Sequence, residues 1–215
     1  MSQPIHLYSH KAGPNPWKVA IVLEELGLKY ESDIVPDVKS KEFTKINPNG
    51  RVPAIEDPNT GLILWESGAI IEYLIDRYDT SARLTYTSFP EKYHVKQWLM
   101  FQMSGQGPYF GQGAWFNAFH KEKLPSAIER YANEIKRVTE VLNNALEGKE
   151  YLVGNKCTYA DLSFITWAAI APFAMGEHKV DFEKEYPNYH AWMERLTARP
   201  AVKKVLADKQ KASSG

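Results

Sequence analysis

A chain of 215 residues is long enough for one or two domains with their own cores, and 26 Lys and Arg against 26 Asp and Glu leave it formally neutral. That balance excludes wholesale electrostatic steering to nucleic acid or to an anionic membrane, and leaves a small neutral or anionic ligand open. The single cysteine, Cys157, excludes an intrachain disulfide, a cysteine-rich zinc site and a CxxC redox pair. The sequence carries no apolar run of about 18 residues, no signal-type leader and no lipidation motif, so a cytoplasmic, reducing location is expected.

Ile5 to Ser9 reads as a short strand, after which Val19, Val22, Leu23 and Leu26 recur at helical spacing until Gly27 ends the run. Tyr30 to Val35 reads as a second strand and Phe43 to Ile46 as a single helical turn. Ala54 to Glu56 and Leu62 to Trp65 form a hairpin pattern around Pro58-Asn59-Thr60-Gly61, and Ile70, Ile71, Leu74 and Tyr78 mark a helix. The order βαβ then ββα predicts an α+β thioredoxin-like domain over residues 1–80. Periodicity lapses where Thr, Ser and Pro cluster, so residues 81–90 are expected to be a linker, and residues 91–215 an all-α helical-bundle domain. In that second part Ile128, Tyr131, Ile135, Val138, Leu142 and Ala145 form one apolar stripe along a helix of about six turns. Thr158 and Asp161 form a capping box, stapled by Cys157 and Leu162, ahead of one buried helix running to Phe173. Tyr186 to Thr197 and Ala201 to Lys209 complete the bundle, and the polar tail from Lys209 to Gly215 is expected to fray.

Two stretches carry the chemistry. In Asn47-Pro48-Asn49-Gly50-Arg51-Val52-Pro53-Ala54-Ile55-Glu56, a proline at the entry of a strand is a candidate cis peptide that would present the backbone of Val52 to a peptide-like ligand. In Trp65-Glu66-Ser67-Gly68-Ala69-Ile70 a strand runs into a helix start, where unpaired amides and the positive helix end favour a carboxylate; capping by itself also explains acidic and hydroxyl residues there. Asn15 precedes Pro16 and the first helix. Capping with Pro16 at the first helical position accounts for it, and its amide is equally a donor that cannot act as a base. The segment Gln106 to His120 holds Tyr109, Phe110, Trp115, Phe116 and Phe119, for which burial is the default. Yet Gly105, Gly107, Gly111 and Gly113 interrupt the helix at a cost of up to about 1 kcal/mol each, so an irregular wall is expected. His120, His178 and His190 lack metal-ligand spacing, and no metal is expected.

With these pieces in order, the chain resembles the cytosolic glutathione transferase superfamily from Ile5 to Ala207. The resemblance rests on Val52-Pro53, Glu66-Ser67 and Thr158-Tyr159-Ala160-Asp161. Tyr8-Ser9-His10, Gly13-Pro14-Asn15, Lys18 to Leu23, Gln97-Trp98-Leu99 and Phe101-Gln102 are similar to the fungal nitrogen-catabolite-regulator branch and its bacterial relatives. That regulator has an Asn/Gln-rich prion-forming leader, whereas here the first strand begins at Ile5, so prion behaviour is not expected. The resemblance implies glutathione as co-substrate: its γ-glutamyl carboxylate on Ser67, its ammonium on Glu66, its cysteinyl backbone on Val52 beside Pro53, its glycyl carboxylate near Lys39 and Arg51, and its thiol near Asn15. Tyr8 and Ser9 are rival thiol activators by comparison with other transferase classes. Tyr109, Trp115, Phe116 and Phe119 are implied to line a pocket for a hydrophobic electrophile. The implied activity is conjugation, with peroxide or disulfide reduction also open, by a homodimer without nucleic-acid or membrane partners. A non-catalytic glutathione-binding regulator or ligandin is the alternative.

Overall fold

The computed structural model describes residues 2–214. The first part contains β1 (Ile5–Ser9), α1 (Pro14–Leu26), β2 (Tyr30–Ile34), α2 (Lys41–Ile46), β3 (Ala54–Asp57), β4 (Leu62–Trp65) and α3 (Ser67–Tyr78). The second contains α4 (Glu91–Phe101), α5 (Gly107–Ala114), α6 (Pro125–Ala145), α7 (Tyr159–Ser163), α8 (Ile165–Ala168), α9 (Ala171–Met175), α10 (Phe182–Glu185), α11 (Pro187–Thr197) and α12 (Pro200–Ser214). This is the expected α+β domain followed by helices.

The sheet is ordered β2-β1-β3-β4. β1 pairs with β2 in parallel and with β3 antiparallel, and β3 pairs with β4 antiparallel. Ile5, Leu7 and Ser9 share one buried face of β1, as period-2 alternation demands. α1 packs on α3 and on α12. It is therefore buried along its whole middle, from Pro16 to Leu23, and needs no polar face there.

Two compact units result, and their division corrects the expected boundaries at the C-terminal end. Tyr86 to Thr197 form the second unit, while the residues from Ala198 onward cluster with the first, so the helical domain does not extend from 91 to 215. The cause is specific pairing. Val202 and Val205 of α12 are buried, Arg199 grips Glu25 of α1 with two hydrogen bonds of 2.6 and 2.7 Å, and Lys204 pairs with Glu24. Held this way, α12 stays helical to Ser214 where fraying from Lys209 was expected.

Within the second unit the apolar stripe of α6 is as read from the sequence, with Ile135, Val138 and Leu142 buried. The capping box is also present. Asp161 is buried and accepts from Leu152 N (2.9 Å), Thr158 N (2.8 Å), Thr158 Oγ1 (2.8 Å) and Trp192 Nε1 (3.0 Å). Burial pushes its carboxyl above the ordinary range, and these donors pull it back down. The single helix expected to run to Phe173 is three short ones, α7 to α9, because tightened turns follow Asp161 and Trp167 and Pro172 cannot donate to the ladder.

The glycine-rich stretch was expected to break its helix, and it does not. α4 continues through a π-helical segment Gln102–Gln106 into α5 and through a second, Trp115–Phe119. The glycines serve close packing instead: a Cβ at Gly111 would meet the Trp167 ring at 3.2 Å, and one at Gly113 would meet the Ala174 carbonyl at 3.0 Å.

Candidate functional site

A cleft of about 120 Å³ opens on the first unit, lined by Asn15, Asn47, Asn49, Arg51, Val52, Pro53, Glu66 and Ser67. Asn15, Arg51, Val52, Pro53, Glu66 and Ser67 were expected to share a site, and they do share one cleft. Lys39 is not among its lining residues.

Asn15 reaches the cleft because of the loop ahead of α1. His10 Nδ1 accepts the N–H groups of Ala12 (3.1 Å) and Gly13 (3.0 Å), and Trp17 Nε1 donates to the His10 carbonyl at 3.0 Å, folding the loop onto the helix start. The helix then begins two residues earlier than capping by Asn15 would require. Gly13 is the N-cap, without a side-chain bond, and Pro14 takes the first helical position. Asn15 lies inside the first turn, so the capping explanation of this residue is overturned. Pro14 and Pro16 also lack N–H groups, which strips two donors from the positive end of α1.

The start of α3 is different. Glu66 is its N-cap in a left-handed conformation (φ 72°), rare for a residue with a Cβ and a recurrent feature of ligand-binding positions. The first intrahelical bond runs from Ile70 N to Glu66 O (2.9 Å), so the amides of Ser67, Gly68 and Ala69 precede the ladder and point out of the helix end. Ser67 is buried beside them. Amides, hydroxyl and helix dipole together make a site for a carboxylate.

The loop from Asn47 to Pro53, which enters β3 through a cis Val52-Pro53 peptide, supplies further lining of the cleft. Asn47 shapes it: buried, it accepts from Asn49 N at 2.9 Å and donates from Nδ2 to the Arg51 carbonyl at 2.6 Å. Gly50 adopts φ +59°, and a Cβ there would fall 2.8 Å from the Val38 carbonyl and 2.9 Å from Lys39. Lys39 is spent on this loop, its Nζ donating to the Asn49 carbonyl at 3.0 Å.

Tyr8 and Ser9 do not line the cleft. The Tyr8 hydroxyl donates to Glu56 Oε1 at 3.0 Å, and burial, aided by that carboxylate, pushes its pKa up to about 12, which unsuits it to stabilise an anion. Ser9 is buried in β1, and among the described residues its Oγ has no hydrogen-bond partner. The four aromatic candidates are split. Trp115 and Phe119 are half-exposed and meet at 6.2 Å, and Phe119 meets Phe173 at 6.2 Å, whereas Phe116 stacks on Tyr131 of α6 at 5.5 Å and Tyr109 lies under the Arg137 guanidinium at 5.9 Å. Among the described residues no group of three or more His, Cys, Asp or Glu is placed to hold a metal ion, and no helix is long and apolar enough to cross a membrane.

Sequence reasoning missed Asn47, Asn49 and the buried Lys18. For Asn47 a signal existed, since Asn followed by Pro and Asn is a turn former that bonds the backbone two residues on. For Lys18 the only signal was a lysine set against Val19 to Leu23.

Comparison with known proteins gives the family. The profile of the glutathione S-transferase N-terminal domain matches residues 7–82 and that of the C-terminal domain residues 108–200. The glutathione S-transferase-like protein tpcF of Aspergillus fumigatus is 48% identical over 96% of each chain. Protein URE2 of Eremothecium gossypii is 36% identical, over 93% of this chain and 67% of its own. Among solved structures, the glutathione transferase URE2P6 of Phanerochaete chrysosporium in complex with oxidized glutathione superposes with a TM-score of 0.92 at 49% identity, covering 98% of each chain. Ure2p5 of the same fungus, cocrystallized with 1-(S-glutathionyl)-2,4-dinitrobenzene, gives 0.92 at 42%, covering 100% of this chain and 98% of its own.

Proposed function

Because the chain belongs to the glutathione S-transferase family, we propose that it is a cytoplasmic, homodimeric transferase that binds glutathione in this cleft and activates its thiol for attack on hydrophobic electrophiles. The observation that carries the reading is the joint lining of one cleft by Asn15, the Val52-Pro53 backbone and the Glu66-Ser67 helix start. In this reading the γ-glutamyl carboxylate takes the α3 amides and the Ser67 hydroxyl, Glu66 answers the ammonium, Val52 pairs with the cysteinyl backbone, and Arg51 rather than Lys39 meets the glycyl carboxylate. Asn15 then donates its side-chain N–H to the sulfur.

A free thiol titrates near about 8.5, and lowering that by about 2 units requires roughly 2.7 kcal/mol of preference for the thiolate. A charge-assisted hydrogen bond and the end of α1 are of that size together. The thiolate is placed electrostatically, since a neutral amide abstracts no proton. The exposed cluster of Trp115, Phe119 and Phe173 suits an aromatic electrophile, and a similar protein has been solved with a dinitrobenzene conjugate of glutathione. The complex of another with oxidized glutathione keeps disulfide reduction in the test.

Parallel turnover assays with chlorodinitrobenzene, cumene hydroperoxide and a glutathionylated disulfide, together with calorimetric titration of glutathione, test the proposal. Conjugation above the uncatalysed rate is expected. Glutathione binding without turnover on any of the three gives the regulator reading instead, and absence of binding refutes both.

A further inference from the structure

A second groove, of about 390 Å³, opens on the first unit and shares no lining residue with the cleft. That volume is the size of a small-molecule pocket. Its floor is apolar. Tyr8 of β1 and Phe43 of α2 meet edge to face with ring centroids 5.6 Å apart, and Ile34 and Ile46 line the groove with them. Ile34, at the end of the edge strand β2, stays 39% exposed.

The charged residues of this groove are all of one sign. Asp33, Asp37 and Glu42 line it, and no lysine or arginine does. Their partners leave most of that charge unanswered: Asp33 lies 3.7 Å from His6 Nδ1, Asp37 Oδ1 accepts from the Lys39 N–H at 2.8 Å, and Glu42 has no ion pair among the described residues. Lys39 sends its ammonium elsewhere, to the Asn49 carbonyl at 3.0 Å, and Lys41 and Lys45 of α2 lie outside the lining. The Tyr8 hydroxyl already donates to Glu56 Oε1 at 3.0 Å, so its proton is not offered to an anion. Three carboxylates around an aromatic floor repel an anion, give a neutral ligand no advantage, and attract a cation with an apolar body, to which the rings add their own pull.

We propose that this groove is a second binding site, for a small organic cation of the arylalkylammonium type, whose apolar body covers Tyr8, Phe43, Ile34 and Ile46 while its ammonium meets Asp37 and Glu42. The site stands apart from the glutathione reading, since it uses none of the residues of the cleft.

Isoleucine methyl resonances of the full chain, titrated with phenethylammonium, phenethyl alcohol and hydrocinnamate, test this by comparing one body with three charges. At low salt the ammonium is expected to saturate the shifts of Ile34 and Ile46 with a Kd of about 1–5 mM, at least about fivefold tighter than the alcohol, while hydrocinnamate leaves both unmoved. The preference for the ammonium over the alcohol should fall by at least half at about 1 M salt, where charges are screened within about 3 Å. Glu42→Gln and Asp37→Asn, both at exposed positions, should each weaken the ammonium about two- to fourfold and leave the alcohol unchanged. An alcohol that binds as tightly as the ammonium, an ammonium affinity that neither variant lowers, or shifts at Ile34 and Ile46 that do not saturate overturns the proposal. The same methyls moving on dilution of the free protein would place a second copy of the chain in the groove and overturn it too. A protein that binds phenethylammonium here but no glutathione defeats the proposed function and leaves this inference standing, and the reverse defeats this inference alone.

Discussion

Asn47→Ala perturbs the cleft without touching a residue assigned to the thiol. The main-chain bonds of Asn47, from its own N–H to Phe43 O and from Gly50 N to its carbonyl, both 2.9 Å, survive the change. Its side-chain bonds do not: the Asn49 N–H loses its acceptor and the Arg51 carbonyl its donor. Two bonds at about 1 kcal/mol net each, with water partly replacing the lost partners because Asn49 and Arg51 are exposed, give a loss of about 2 kcal/mol. The damage falls on the loop that carries Arg51 and Val52, so it is expected in glutathione affinity as well as in stability, at about 10- to 30-fold in Kd. Calorimetric titration and urea denaturation measure the two. Asn47→Asp sharpens the test. It keeps an acceptor for Asn49 but sets a second carboxylate oxygen against the Arg51 carbonyl, so it should bind no better than the alanine variant. An alanine variant within twofold of wild type in Kd and within about 0.5 kcal/mol in stability would refute the reasoning, as would an aspartate variant equal to wild type.

Asn15→Ala should lower kcat by about tenfold or more while glutathione Kd stays within a few fold, because the donated bond matters only to the thiolate; unchanged turnover at saturating glutathione sinks that role. Asp161→Ala leaves four donors without their acceptor, among them the buried Trp192 Nε1, and should cost about 3–5 kcal/mol in the unfolding of the helical unit. Asp161→Asn, which retains one acceptor oxygen, should cost less, and equal losses would contradict the bond count. Lys18 supplies a pH prediction. In the unfolded chain it keeps its proton up to 10.5, but in the fold only to about 7, so between these values the unfolded state holds the extra proton and stability rises with pH. The slope reaches about 1.36 kcal/mol per pH unit and vanishes in Lys18→Met. Urea unfolding at pH 7.5 and pH 9, with equal slopes in both proteins, would rule it out.

Much of this architecture is written in short-range signals. The capping box at Thr158 and Asp161, the stripe of α6 and the hairpin turn before β4 each depend on residues within a few positions of one another, and each formed where its residues stand. What escaped depends on partners far along the chain. Nothing local in Pro200 to Ser214 says that α12 joins the first unit, because the pairing that decides it joins Arg199 to Glu25. The glycines of α5 look like helix breakers until Trp167 is seen against them. Asn15 shows a finer limit: two prolines flank it, the sequence makes either a plausible helix start, and the loop bonds of His10 select Pro14.

That choice of register explains why a ligand with two ends would lie one way round in the cleft. α3 begins with an unbroken run of amide donors at Ser67, Gly68 and Ala69, the arrangement best able to hold a full carboxylate charge. α1 begins Pro14-Asn15-Pro16, with two of its donors deleted, and so offers a weaker positive end. In the proposed reading a carboxylate, fully ionised at neutral pH, would take the stronger site, and a thiol near its titration point the weaker one, where the Asn15 side chain would replace what the prolines remove. On this argument Pro16→Ala, by restoring one N–H to the start of α1, should lower the pKa of the bound thiol. Thiolate absorbance near 240 nm, titrated in the glutathione complex, reads that shift, and a pKa equal to or above wild type would show that the amides of α1 play no part.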